Sequence, residues 1–381
     1  MTRLRITAST PITNTVVMGE LEAVPEGAYE AATDDGRSLP AQVTSLSDGR
    51  SLVGVLVPEL AAGQSLDVTL RETEATAGKG IDLDDQPENG RIVVNYSGFL
   101  QTIYHYGAMN FKPRFYPITV PCAKMGPMED FGTQYPKGIT DDSPPDHIWH
   151  RSLWYACGDV NGVDFYLENG GEGRTVHQRF RDVFSGPVFG GFRQELDWIT
   201  PDGKRLVHDE RRFMMYRRKG IERVFDIEAA FTATDQPATF GQTNENALPL
   251  IRVNDSIDEW DGGQITLEGG IVGGKDAQAK RAKWADYSGP LIRKPDKDAE
   301  WWGIAMLDHP HNRNHPNAWF ARSYGPLGTN LPFFDGPLTL QPGETWHLRH
   351  RIVVHDGAAD VGKLESHWQT YAEPPQIEVI S

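Results

Sequence analysis

The chain has 381 residues, and 53 Asp and Glu outweigh 37 Lys and Arg to give a formal net charge of −16. That length supports a large core, in one big domain or a big domain beside a small one. The acidic balance excludes nucleic acid and anionic membrane surfaces as partners, since both demand a basic footprint. No stretch approaches the ~20 apolar residues of a membrane helix.

The opening residues, Met1-Thr2-Arg3-Leu4-Arg5-Ile6-Thr7, contain no apolar signal core, so a cytoplasmic protein is expected. Short alternating runs follow at Arg3–Ile6, Ser51–Val57 and Ser65–Leu70, with turn signals Asp34-Asp35-Gly36 and Ala62-Gly63-Gln64 between them. They predict a compact antiparallel unit over residues 1–72. The polar stretch 73–89 reads as a linker, and residues 90–381 as the main domain.

In that domain, strands are expected at Gly90–Tyr96, Val163–Tyr166, Arg174–Phe180 and Arg193–Ile199. Asp202-Gly203 is a hairpin signal leading into Leu206–Tyr216, and Val224–Phe231 alternates apolar with acidic residues as a half-buried strand does. Thr345–His355 alternates again, with His347 and Arg349 on one face and His350 on the other. Only Ala358–Tyr371 suggests a helix. Many strands with few helices predict a mainly β fold, a large antiparallel β-sandwich carrying a small N-terminal β unit. Two irregular segments, 104–162 and 284–335, are too long for ordinary connections, and loops of that length are usually functional.

Each irregular segment contains a histidine cluster. One is Asp146-His147-Ile148-Trp149-His150-Arg151-Ser152-Leu153-Trp154, running on to Gly158–Phe165; the other is Leu307-Asp308-His309-Pro310-His311-Asn312-Arg313-Asn314-His315-Pro316. Together they hold five of the twelve histidines. Histidine titrates nearest neutrality, and mixing it with Asp, Arg, Asn and Trp supplies what a sugar site needs: proton shuttles, hydroxyl-binding forks and flat apolar faces. The plainer reading of any one of them is a histidine satisfied by a structural neighbour. Of the two cysteines, Cys122 and Cys157, the second lies near the first cluster; a buried small hydrophobe is favoured over a reactive thiol. Asp159 and Asp164 read as turn formers around Asn161-Gly162.

These segments resemble the bacterial domain family known as methane oxygenase PmoA-like. The matching motifs are Phe115-Tyr116-Pro117, Asp146 through Trp154, Gly158 through Tyr166, Thr243-Asn244-Glu245-Asn246 with Arg252-Val253, Trp284 through Gly289, Asp308 through Asn312, Pro316 to Trp319 and Leu331-Pro332-Phe333-Phe334. They keep the family's order over about residues 1–356, with one departure, Trp149 where relatives carry a central histidine. The resemblance implies a supersandwich of the galactose-mutarotase-like type, a fold used on sugars, and a functional link to a sugar oxidoreductase.

On that basis the expected function is a carbohydrate-processing enzyme of sugar catabolism. It would cleave or eliminate a glycosidic bond of a glycoside or its 3-keto form, as a lyase or hydrolase; a sugar epimerase or mutarotase, or a non-catalytic sugar-binding module, are the alternatives. His147, His150, His309 and Glu245 are the expected acid–base groups. Asp146, Trp149, Arg151, Arg252, Asp308, Asn312 and Trp319 are the expected substrate-binding groups, and Trp154 and Trp284 could add stacking faces. The two histidine segments are expected to converge on one pocket. A divalent metal ion held by His147, His150, His309, His311 and Asp308 is a competing reading; no haem, flavin or nucleotide is expected. A binding module has no use for so many histidines beside carboxylates, which favours the enzyme.

Overall fold

The computed structural model describes residues 2–21, 24–74, 80–120, 138–292 and 298–380. Cys122, part of the expected linker and part of the first irregular segment lie outside them.

Period-2 alternation builds the sandwich. In the strand Arg223–Ala233, Phe225, Ile227, Ala229 and Phe231 share the face turned to the main core. The strand lies in a nine-stranded antiparallel sheet, ordered Arg174–Phe184, Phe189–Ile199, Arg205–Tyr216, Arg223–Ala233, Thr345–Asp356, Glu300–Asp308, Trp284–Ile292, Gln264–Leu267 and Ile271–Val272. Opposite it stands an eight-stranded antiparallel sheet: Trp319–Ala321, Pro326–Thr329, Asn246–Arg252, Leu153–Cys157, Arg114–Ile118, Phe99–His105, Arg91–Tyr96 and Ile81–Gln86. Leu153, Tyr155, Leu248, Ile251 and Leu327 of this sheet meet Phe192, Trp198, Phe213, Ile304 and Ile352 of the other in one core. Each such side chain contributes roughly 1.5–3 kcal/mol by leaving water. The expected mainly β sandwich is therefore the fold.

The small N-terminal unit is a third, seven-stranded sheet: Ile12–Leu21, Ser51–Leu60, Ser38–Ser45, Gly27–Thr33, Ser65–Glu72, Arg3–Thr7 and Gln376–Ile380. It has its own core around Leu4, Ile6, Val53, Val55 and Val68. The sheet curls until its first strand meets its last; a Cβ at Gly19 would lie 2.9 Å from Ile377 Cβ. Gln42 Oε1 accepts the backbone N–H groups of Val188 and Phe189 at 3.0 and 3.1 Å, tying the unit to the sandwich.

Four expectations change. The unit takes its seventh strand, Gln376–Ile380, from the far end of the chain, so 1–72 does not stand alone. Within the expected linker, Ile81–Gln86 pairs with Arg91–Tyr96 as an edge strand of the sandwich. Val163–Tyr166 is not a strand: Val160 and Val163 close a tight turn in which Asn161 and Gly162 have φ of 55° and 81°. The second irregular segment begins with a hairpin, Trp284–Ile292 with Glu300–Asp308. The C-terminal helix, Val361–Ala372, is present, its Asp360 cap accepting Lys363 N–H at 3.0 Å. No helix among the described residues is long and apolar enough to cross a membrane.

Candidate functional site on the outer face of the eight-stranded sheet

Alternation along Leu153–Cys157 sends Leu153, Tyr155 and Cys157 inward and Trp154 and Ala156 outward. Cys157 is thereby a core residue, and burial pushes its thiol up to about 12. On the outer face Trp154 packs with Tyr166, Ala247, Leu250 and Phe320, and Trp149 lies against them. The first histidine segment covers this surface. Its loop is pinned by backbone hydrogen bonds from His147 to Pro144, His150 to His147 and Ser143 to His150, at 3.1, 2.9 and 2.9 Å.

Behind the loop runs an ion network. Lys112, wholly buried, pairs with Glu168 at 3.0 Å and donates to the Tyr166 carbonyl. Glu168 also binds Arg151, which reaches Asp142; Asp142 in turn pairs with Arg114. Burial lowers Lys112 to about 8, despite the opposing pull of Glu168. Arg151, expected to bind substrate, is engaged by Glu168 and Asp142 and acts here as scaffold.

In front of that network the aromatic rings form a row. His150 stacks on His147 with centroids 4.5 Å apart, and His147 on Tyr324 at 4.9 Å and 9°. Trp154 lies 5.6 Å from His150, and Tyr166 meets His150 edge-on at 6.1 Å. The Arg252 guanidinium sits 5.3 Å above the Tyr324 ring and is gripped by Asp146 at 3.0 and 3.1 Å. Asp146 also accepts from His147 Nδ1 at 2.8 Å. Burial works against its charge, but the bonds from His147 and Arg252 hold the Asp146 carboxyl below its ordinary value.

His150 is only 4% exposed. Burial, with His147 and Arg252 adding to it, drives its pKa down to about 2, so the imidazole stays neutral. Its Nδ1, the Trp154 Nε1 and the Arg252 Nε are buried with no hydrogen-bond partner among the described residues. They are three of fourteen such side-chain atoms among the described residues, and they belong to one cluster.

Glu245 approaches Tyr166 from the turn before Asn246–Arg252. Gly158 permits that approach: its N–H donates to the Glu245 carbonyl at 2.7 Å, and a Cβ there would come within 2.8 Å of the same oxygen. Burial, helped by Asp164, raises the Glu245 carboxyl above its ordinary value. The Glu245 charge is felt at the Tyr166 hydroxyl, which burial holds well above its usual range. Asp164 itself accepts the N–H groups of Tyr166 and Leu167, and Asp159 that of Gly162, the turn-forming roles expected of them.

The second histidine segment is elsewhere. Asp308 ends a strand on its inward face and is fully buried, accepting from Asn312, His315 and Asn317 at 2.7, 2.8 and 2.9 Å. Asn312 is taken up by Asp308 and the Arg349 backbone. One residue further on, His309 crosses to the outer face of the nine-stranded sheet, 4.8 Å from Tyr371 of the C-terminal helix and 4.9 Å from His311. The expected convergence therefore fails: the two histidine clusters occupy opposite outer faces, and the proposed five-residue metal set does not assemble. Among the described residues no three His, Cys, Asp or Glu groups are placed to hold a metal ion. Trp319 and Trp284 are wholly buried, the former donating to the Ala282 carbonyl at 2.9 Å; neither offers a stacking face.

These histidines have a consequence for stability. His350, buried beside Asp308, is lowered by burial to about 4, and His150 to about 2. An unfolded-chain histidine titrates near ~6.5. Their folded pKa values lie below that, so their contribution is present above pH ~6.5 and is lost as pH falls. Each contributes on the order of 1.4 kcal/mol per pH unit while only the unfolded form is protonated. Half-buried His309, also lowered, adds a smaller part. His355, raised by Asp286 against burial, works in the opposite sense. The urea midpoint is expected to drop between pH 7 and pH 5, before ordinary carboxylates titrate; an unchanged midpoint would show that these histidines are not held neutral.

The residues brought together are thus Asp146, His147, Trp149, His150 and Arg252, with Glu245 linked to them through Tyr166. Tyr324, Lys112 and Tyr166 complete the cluster without having been singled out in the sequence. Tyr166 stood at the end of a recognised motif. Lys112 and Tyr324 lie in stretches with no periodic pattern, and only their place in the fold reveals them.

No curated protein matches the chain. Among solved structures, an alpha-mannosidase from Enterococcus faecalis V583 superposes with a TM-score of 0.44 and 8% identity, over 100% of this chain and 46% of that one. A glycosyl hydrolase family 38 protein from Enterococcus faecalis gives a TM-score of 0.38 and 9% identity, over 100% and 47%. This chain spans under half the length of either, and likenesses at that level carry no argument about activity. The family model that matches residues 91–369 is described as a family of unknown function (DUF6807). The match begins in the strand Arg91–Tyr96, takes in most of the sandwich and all of the cluster around His150, and covers well over half of the chain, which therefore belongs to that family.

Proposed function

We propose that the protein is a carbohydrate-processing enzyme that eliminates the glycosidic oxygen of a 3-keto-glycoside, with its site on the outer face of the eight-stranded sheet. This keeps the sugar chemistry implied by the PmoA-like, mutarotase-type resemblance. The observation that carries it is the set of three buried nitrogens, Arg252 Nε, His150 Nδ1 and Trp154 Nε1, which have no partner among the described residues, with Tyr166 between His150 and the charge of Glu245, a carboxylate of raised pKa. Donors fixed in a dry site suit an oxygen on which negative charge develops.

In this reading Glu245 removes the proton from the carbon between the ketone and the anomeric centre. The electron pair passes to the ketone oxygen, which Arg252 and neutral His150 stabilise. The enolate then collapses, the anomeric C–O bond breaks, and the leaving oxygen recovers the proton. Neutral His150 thus polarises rather than shuttles, a revision of the acid–base role expected of it, because a pKa near 2 is far from that of a useful base at neutral pH. The class of partner that would supply the ketone is a sugar oxidoreductase. A non-catalytic module would need the aromatic faces but gains nothing from a carboxylate of raised pKa. An epimerase would share the first step and return the proton to the opposite face.

The test is incubation with a panel of glycosides and their 3-keto forms in deuterated water, read by mass. Cleavage of keto forms alone is expected. Deuterium uptake without cleavage would mark an epimerase. Dioxygen consumption, or inertness to every sugar, would overturn the reading.

A further inference from the structure

Of the ten tryptophans, Trp260 is 74% exposed, while the other nine are buried or half-buried among the described residues. An exposed indole needs no explanation by itself, but this one is held in place. Its loop hangs on Asp258, which is buried and accepts Asp261 N–H at 2.8 Å, while the Asp258 carbonyl accepts Gly263 N–H at 2.7 Å. Only glycine fits at 263, where a Cβ would stand 1.7 Å from the Ile257 carbonyl oxygen. Glu259 then joins the loop to the chain carrying Tyr324: its N–H donates to the Ser323 carbonyl at 3.0 Å, and its carboxylate accepts from Ser323 Oγ at 2.7 Å. The Tyr324 ring centroid lies 5.8 Å from that of Trp260 and 6.4 Å from that of His150. Tyr324 thus bridges the exposed indole and the buried imidazole.

From this geometry we infer that Trp260 is the floor of a second sugar subsite, so that the ligand has at least two rings, the outer one uncharged. The inference rests on the reading of the His150 cluster as a sugar site. A preorganised aromatic face gives a pyranose an apolar platform at little entropic cost. At Arg252, which sits over the same Tyr324 ring, the carboxylates of Asp255 and Asp146, 57% and 40% exposed, can accept hydrogen bonds from hydroxyls. The stretch Asp255–Asp261 carries Asp255, Asp258, Glu259 and Asp261. That density of negative charge disfavours a uronate or a phosphosugar in the outer position.

The experiment compares methyl glucoside with cellobiose and maltose by calorimetry on the intact protein and on Trp260→Ala and Trp260→Phe, with acrylamide quenching of the exposed indole as a second readout. At least one two-ring probe is expected to bind about tenfold more tightly than the one-ring probe and to shield the indole. Trp260→Ala abolishes that advantage, Trp260→Phe keeps most of it, and the melting temperature does not move. Because stacking acts on ground and transition states alike, KM rises while kcat holds. Equal weakening of both probes, or of neither, overturns the subsite, as does failure of every probe to bind the unsubstituted protein. If the two-ring advantage depends on Trp260 while Glu245→Gln keeps full turnover, the subsite stands and the catalytic reading falls.

Discussion

Glu245→Gln is expected to lower turnover of the keto-glycoside by about 10²–10⁴-fold, the usual worth of a positioned general base. Glutamine keeps the size and hydrogen-bonding capacity of the side chain but cannot take a proton. Since Glu245 is only half-buried and its backbone carbonyl, not its carboxylate, holds Gly158, the fold should be retained. The pH profile sharpens the test. Burial raises the Glu245 carboxyl, so the acid limb of kcat should lie above the ordinary ~4.3 of a glutamate and vanish in the variant. His150→Ala should cost about 10²–10³-fold, as loss of a donor to a developing oxyanion does. It should leave the profile's shape alone, because the imidazole is neutral throughout. A limb near pH 6.5 that disappears with His150 would reinstate it as the proton shuttle and displace Glu245.

Two thirds of this site's residues were legible in the sequence, for a physical reason. Asp146 through Trp154 concentrates His, Asp, Arg and Trp in a segment with no strand period, and such a segment has to lie over a rigid sheet. The segment from Leu307 to Pro316 has the same composition and the opposite fate. A strand alternates faces with every residue, so Asp308 turns into the core while His309 emerges beside Tyr371 on the far sheet. Nothing in the order Asp-His reveals which face each takes until the strand's pairing is known. Trp319 and Phe320 show the same ambiguity, the first inside the main core and the second on the outer face with Trp154.

The misplaced elements have comparable causes. Ile81–Gln86 is acidic, yet Ile81 and Leu83 alternate into the core, and its charges suit an exposed sheet edge. Trp284–Ile292 is buried on both faces, so it lacks the polar alternation that marks a strand, and its Gly289 and Pro290 imitate a loop. Tyr324 and Trp260 are single aromatics in turns. Their meaning comes from Glu259 reaching Ser323, a contact between segments 64 residues apart that no local pattern encodes.

Asp308→Ala should be the most destabilising of the substitutions considered, by roughly 3–5 kcal/mol, the penalty for breaking a buried, hydrogen-bonded charge cluster. The carboxylate is wholly buried and accepts from Asn312 Nδ2, His315 Nδ1 and both the backbone N–H and Nδ2 of Asn317, with His350 Nε2 at 3.6 Å. Burial opposes its charge, but these donors prevail and hold it below the ordinary aspartate value. Alanine would take the acceptor from the buried N–H and Nδ2 of Asn317, from half-buried His315 and from one of the two bonds of Asn312 Nδ2, and leave a cavity where the strand Glu300–Asp308 enters the turn toward Pro316. Asp308→Asn keeps the shape but sets its own N–H donors against those of its neighbours, so it should fall between. The damage should register as a lower urea midpoint for unfolding, while molecules that remain folded keep the kcat of the unsubstituted protein, since the cluster is buried between the two sheets and its donors are Asn312, His315 and Asn317, none of them in the His150 cluster. An Asp308→Ala protein with an unchanged midpoint and abolished turnover would return the second histidine segment to the active site and undo the separation of the two clusters.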